Sequence, residues 1–240
     1  MTTDDGESPT AAAPAPHGGR SVVTAGAPRG GTEVVVLALH GRGATAQGVV
    51  NLLDPVYRHG VTFLAPDAHR SRWYPYAATA GRERNDPDLS SAIAVVDALV
   101  AHATSAFDVP RERVVLAGFS QGAVVAAEYA LQHPARYGAV VCLAGAAIDP
   151  ERDFIERHGE DAAAASEDAT AGSFAGTPAY FAVGRDDPHV PISRVEATAD
   201  AFRARGADVT VDVFDDTGHE VTDAAFDHVR ALLDGIVDGD

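Results

Sequence analysis

Lysine is absent from this chain of 240 residues: all 18 of its basic residues are arginine, set against 35 acids, for a formal net charge of -17. An excess of that size repels nucleic acid and anionic membranes, both of which recruit partners through positive charge, so neither is an expected partner. Cysteine occurs once, which excludes an internal disulfide and a cysteine-based zinc site. The apolar setting Ala139-Val140-Val141-Cys142-Leu143 makes that thiol a buried, inert group. No window of about eighteen apolar residues reads as a membrane span. Residues 1–20 also lack the basic start and apolar core of a signal peptide. These absences together give the expectation of a cytoplasmic protein without stable membrane association.

Acids without lysine also fit a protein adapted to molar salt, where screening relieves the self-repulsion of a crowded negative surface. The competing account is an ordinary acidic protein whose genome favours arginine codons. The wide spread of acids along the chain favours salt adaptation, and a halophilic source is expected.

What is present reads as one domain. Residues 1–20 mix Thr, Ser, Pro, Ala, Gly and acids with almost nothing to bury, so a disordered tail is expected there. Neither a repeat nor an internal linker divides residues 21–240. Strands are expected over 34–39, 61–65, 114–117, 139–143, 179–183 and 209–214. Helices are expected over 46–57, 89–104, 121–133, 192–205 and 222–237. Near-continuous apolar strands alternating with helices call for an α/β fold, a mostly parallel sheet with helices on both faces. In such a sheet the chemistry sits in the loops after the strands.

One of those loops is Gly118-Phe119-Ser120-Gln121-Gly122, a G-x-S-x-G run with a strand before it and a helix after it. That is the setting of a nucleophile elbow, which holds a weakly nucleophilic hydroxyl exposed on a strained turn beside oxyanion-binding N–H groups. The loop after 179–183 carries Asp186, Asp187 and His189, and the loop after 209–214 carries His219. The order Ser, Asp, His is that of α/β-hydrolases, and it separates them from other serine-hydrolase lineages. Ser120 is the candidate nucleophile, His219 the base and Asp187 the residue that orients the base. Asp186 competes for the last role, and His189 is the alternative base among ten histidines.

The oxyanion hole is expected from the N–H of Gln121 and from that of Arg42, in the glycine loop Leu39-His40-Gly41-Arg42-Gly43. His40 reads as a packing histidine supporting that loop. Trp73 and Tyr74, after another strand on the same edge, are the candidate substrate-binding aromatics, with packing of their own loop as the alternative. Nearby Arg70, Arg72, Arg82 and Arg84 read as partners of local acids, with steering of an anionic substrate as the alternative. Residues 151–173, rich in Ala, Asp and Glu, are too poor in large apolar side chains to cover a greasy site. They read as a solvated helix-and-loop insertion, with a lid as the alternative.

At these residues the chain resembles the phospholipase/carboxylesterase family of α/β-hydrolases, the group that also holds acyl-protein thioesterases. The likeness spans residues 34–233. It rests on Leu39-His40-Gly41-Arg42-Gly43, the Trp73 loop, Gly118-Phe119-Ser120-Gln121-Gly122-Ala123, Asp187-Pro188-His189-Val190-Pro191 and Gly218-His219. It implies a Ser120-Asp187-His219 triad, an oxyanion hole at Arg42 and Gln121, no cofactor and no metal. It further implies hydrolysis of carboxylic esters or thioesters; without a strongly apolar lid or a basic surface for a phospholipid interface, small soluble esters are the expected substrates. The tail and the 151–173 stretch depart from the family pattern. Two other readings compete: a dienelactone-hydrolase-like enzyme, against which Ser120 stands because those carry cysteine at the elbow, and a non-catalytic binding module on the same fold. The oligomeric state is not legible in the sequence.

Overall fold

The computed structural model describes residues 8–150 and 172–239. Its strands are β1 (Val22–Gly26), β2 (Val34–Leu39), β3 (Val61–Pro66), β4 (Val114–Phe119), β5 (Ala139–Leu143), β6 (Pro178–Gly184) and β7 (Asp208–Phe214). Its helices are α1 (Ala46–Leu52), α2 (Arg82–Asn85), α3 (Asp88–Ala106), α4 (Gln121–Gln132), α5 (Ile192–Arg203) and α6 (Asp223–Asp238). The strands make one sheet in the order β1-β3-β2-β4-β5-β6-β7. Among the described residues only β1 runs antiparallel to its neighbour; β2 through β7 are mutually parallel.

The expected α/β architecture is therefore present, with one strand more than the sequence suggested. β1 is a short edge strand with no fully buried residue, and it lacks the apolar run that marks the others.

The sheet divides the core in two, as successive side chains point to opposite faces. Val35, Leu37, Leu39, Leu116, Cys142 and Phe181 face one layer with α3, α4 and α5. Val34, Val36, Ala38, Val115, Val141 and Tyr180 face the other with α1 and α6. Polar hydroxyls close two helix starts: Thr45 Oγ1 accepts from Gly48 N–H at 3.1 Å, and Thr222 Oγ1 from Ala225 N–H at 3.2 Å.

Two expectations need correction. Helix α3 is long and apolar enough, by length and composition, to cross a membrane, contrary to the sequence reading. Here Leu89, Ile93, Val96, Leu99 and Val100 are buried against the sheet and α4, each contributing about 1.5–3 kcal/mol, which accounts for its apolarity. The expected disordered tail also fails over residues 8–20, where Thr10 and His17 are each 1% exposed. His17 N–H donates to Ser91 Oγ at 3.0 Å, and Ser91 Oγ donates to Pro14 O at 2.7 Å, so α3 secures this segment by polar contacts that a hydrophobicity argument overlooks. Residues 151–171 of the insertion lie outside the described residues.

Candidate active site

Ser120 sits where β4 turns into α4, at φ 54 and ψ -119. A non-glycine residue there is strained by about 1–3 kcal/mol, and such strain persists only where the surroundings enforce it. Ser120 N–H donates to Leu143 O at 2.8 Å, and Ser120 O accepts from Val124 N–H at 3.1 Å. The flanking glycines make the turn possible by close approach. A Cβ on Gly122 would lie 2.0 Å from Leu39 O, and one on Gly118 would lie 2.3 Å from the Gly122 carbonyl carbon. No side chain fits either place.

Three loops bring the remaining groups to Ser120. His219 Nε2 lies 2.8 Å from Ser120 Oγ, and His219 Nδ1 lies 2.7 Å from Asp187 Oδ2. A carboxylate can only accept, so Nδ1 carries the proton and Nε2 presents its lone pair to the serine hydroxyl. Asp187 is in turn fixed: its Oδ1 accepts from His189 N–H at 2.8 Å and Val190 N–H at 3.1 Å, and its side chain is fully buried.

Gly184 lets the end of β6 touch the histidine loop, since a Cβ there would meet Thr217 O at 2.2 Å and Gly218 O at 2.3 Å. Asp186 is exposed, and its backbone N–H bonds to Thr217 O. The His189 ring stands edge-on to His219, 4.9 Å between centroids. Of the competing residues, Asp187 and His219 are the pair in line with Ser120.

The loop after β2 lies across this site. His40 is buried; its Nε2 accepts from Ala68 N–H at 3.1 Å. Its proton therefore sits on Nδ1, which donates to Gly41 O at 2.7 Å. Burial holds this imidazole below its usual pKa, so it stays neutral in its supporting role. Gly43 N–H donates to Ser71 O at 2.6 Å, and the Arg42 guanidinium donates to the carbonyls of Tyr74, Pro75 and Tyr76 at 2.9, 3.1 and 3.0 Å. Among the described residues, the backbone N–H groups of Arg42 and Gln121 have no protein acceptor.

Trp73 and Tyr74 are placed differently from the substrate-lining role expected of them. They are 0% and 2% exposed, and the structure uses them as scaffold. Trp73 Nε1–H donates to His40 O at 2.8 Å. The Gln121 side chain clamps the same segment, accepting from Trp73 N–H at 3.0 Å and donating to Tyr74 O at 2.9 Å. The sequence reading gave Gln121 only its backbone N–H. The available signal was a polar side chain in the first turn of a mostly apolar helix. Of the four nearby arginines, Arg82 pairs with the buried Glu128 at 2.8 Å, and Arg84 lies over the Tyr76 ring, 4.6 Å from its centroid.

Cys142 is fully buried, and burial pushes its thiol well above the usual range, so it offers no competing nucleophile. Among the described residues, no group of three His, Cys, Asp or Glu side chains is placed to hold a metal ion.

A strained serine bonded to an imidazole that is bonded to a buried carboxylate, next to two free backbone donors, is equipped for acyl transfer. Comparison with known proteins points the same way. The model of the phospholipase/carboxylesterase family matches residues 21–236. The crystal structure of a phospholipase/carboxylesterase from Dyadobacter fermentans is similar, with 30% identity, a TM-score of 0.78, and coverage of 92% of this chain and 99% of that one.

Zea mays acyl-protein thioesterase 2 shares the fold at 18% identity and TM-score 0.68, covering 91% of this chain and 99% of that one. The Bacillus cereus carboxylesterase does so at 18% and 0.67, covering 90% and 94%. A comparison with curated protein sequences gives no match. With its sheet order, its elbow and a family match over nearly its whole length, the chain belongs to the phospholipase/carboxylesterase family and has the α/β-hydrolase fold.

Proposed function

We propose that this protein is a serine esterase that hydrolyses short to medium acyl esters, with thioesters as close second substrates, through an acyl-enzyme on Ser120. The observation that carries this reading is the continuous hydrogen-bonded line Asp187–His219–Ser120. Ser120 Oγ attacks the carbonyl carbon while His219 Nε2 takes its proton, and Asp187 stabilises the imidazolium that forms. The N–H groups of Arg42 and Gln121 receive the negative charge that develops on the carbonyl oxygen. Collapse expels the alcohol or thiol, which leaves with the proton held by His219. Water then repeats the sequence on the acyl-enzyme, releasing the carboxylic acid and restoring Ser120. Every group needed is a side chain or backbone N–H of this chain, so the reading calls for no cofactor.

The net charge of -17 supports a small-molecule substrate over a nucleic acid or an anionic membrane. The test is hydrolysis of nitrophenyl esters of increasing acyl length in high KCl, by the wild type and by Ser120→Ala. Turnover by the wild type that falls to background in the variant is the expected result, and the length optimum then sizes the acyl site. Equal turnover in both proteins would overturn the role of Ser120, and turnover in neither would favour a binding module.

A further inference from the structure

The segment before β1 takes no part in the sheet, yet it reaches the loop after β3, and that loop touches both the Arg42 loop and Gln121. The His17 side chain enters between two turns of the loop after β3. Its Nδ1 accepts from His69 N–H at 2.9 Å, which puts the ring proton on Nε2, and Nε2–H donates to Trp73 O at 2.9 Å. The ring also lies against the Trp73 indole, 5.4 Å between centroids. The His40 ring also lies against the indole, 5.0 Å between centroids.

From Trp73 the contacts divide. One line runs through Trp73 Nε1–H to His40 O, two residues before Arg42. The other runs through Trp73 N–H to the Gln121 side chain. Between His69 and Trp73 the backbone is strained, with Arg70 and Ser71 at φ 52 and 54, and Ser71 O is the acceptor that holds Gly43 N–H. A turn with two consecutive left-handed non-glycine residues needs outside support to persist. His17 grips it on both sides.

We propose that His17 is a positioning residue for the oxyanion-binding loops: bridging His69 N–H and Trp73 O, it holds the turn against which Arg42 and Gln121 are set. This rests on the reading of Ser120 as an esterase nucleophile. His17 touches no reacting atom and acts through Trp73. Partners that orient metal-binding side chains are worth about 10–100-fold in affinity or activity, and a loss of similar size is expected here on removal of His17. Because its effect falls on groups that bind the oxyanion, it acts on kcat and leaves substrate binding little changed. The imidazole performs both roles only when neutral, and burial, its main perturbation, keeps it so.

The test compares wild type, His17→Ala, His17→Gln and Ser120→Ala, each with its thermal melt. Two readouts are used: nitrophenyl ester turnover, and inhibition by an alkyl trifluoromethyl ketone. The ketone carbon takes the Ser120 oxygen, His219 takes the hydroxyl proton, and the resulting hemiketal anion occupies the oxyanion hole.

The expected result is a fall in kcat of about 10–100-fold in His17→Ala with KM within about threefold. The ketone should weaken in proportion to kcat/KM. His17→Gln, whose amide N–H can still reach Trp73 O, should recover most of the loss. Wild-type kcat and ketone affinity in a folded His17→Ala, or a glutamine variant no better than alanine, would overturn the proposal. If His17→Ala does not fold, Ser91→Ala replaces it, since it removes both bonds from the segment to α3 and leaves the loop itself intact. A loss in kcat and ketone affinity without a change in KM is again expected, and wild-type values overturn the proposal. Wild-type turnover that survives in Ser120→Ala contradicts the esterase reading itself, a result separate from any effect at His17.

Discussion

Asp187 and Asp186 are neighbours in a loop, and the sequence contains nothing physical that separates them; the family likeness chose between them. The structure separates them by what they touch. Asp187 is buried and bonded to His219 Nδ1, whereas the Asp186 side chain is exposed. Asp187→Asn is therefore expected to lower kcat by about 10⁴-fold, because an amide favours the wrong imidazole tautomer. Asp186→Asn should stay within about twofold, as a surface substitution does. Comparable losses in the two variants would contradict the assignment.

His17 carries a second prediction. Burial lowers its pKa from 6.5 to about 4; the Trp73 carbonyl and Asp88 oppose this, while His69 and Arg20 reinforce it. Between those values the unfolded chain binds a proton that the folded chain refuses. The neutral ring's contribution, about 3 kcal/mol, is therefore complete above pH 6.5 and is lost as pH falls towards 4. The difference in melting temperature between wild type and His17→Gln should narrow from pH 7 to pH 4. A difference independent of pH would show that the ring is not held neutral by the fold.

The elbow was legible because each of its parts has a local signature: an apolar run, glycines at fixed places and a helix after them. β1 was not, since an exposed edge strand of five residues carries little hydrophobic signal. Residues 8–20 were misread for a related reason. Their order comes from hydrogen bonds to α3 and to the loop after β3, contacts between residues about 50–75 positions apart that composition does not record. Trp73 and Tyr74 were correctly placed on the catalytic edge, but only packing decides whether an aromatic lines a pocket or fills a core.

Gly184 tests the contact of β6 with the histidine loop. Gly184→Ala puts a methyl 2.2 Å from Thr217 O, so that loop must shift. Activity should fall more than about 100-fold, since a displacement of about 1 Å at a reacting group costs that much. Circular dichroism should remain that of a folded protein. Wild-type activity in this variant would show that the contact is not required.

The whole molecule is a hydrolase scaffold under an acidic surface. Its 35 acids, 18 arginines and missing lysine predict a fold that self-repulsion weakens at low ionic strength. Raising KCl from about 0.1 M to about 2 M, beyond the range where charges interact freely, should raise both the melting temperature and the esterase rate. Insensitivity to salt would return the composition to codon bias alone.

The central claim is that Ser120 becomes acylated. It is tested most directly by acid-quenching the protein within one turnover of a nitrophenyl ester, measuring intact mass and mapping the modified peptide. The account predicts a mass increase equal to the acyl group, confined to the peptide carrying Ser120 and absent from Ser120→Ala. Nitrophenol release from wild type that is lost in Ser120→Ala, with the acyl group found on another residue such as His189, would contradict it.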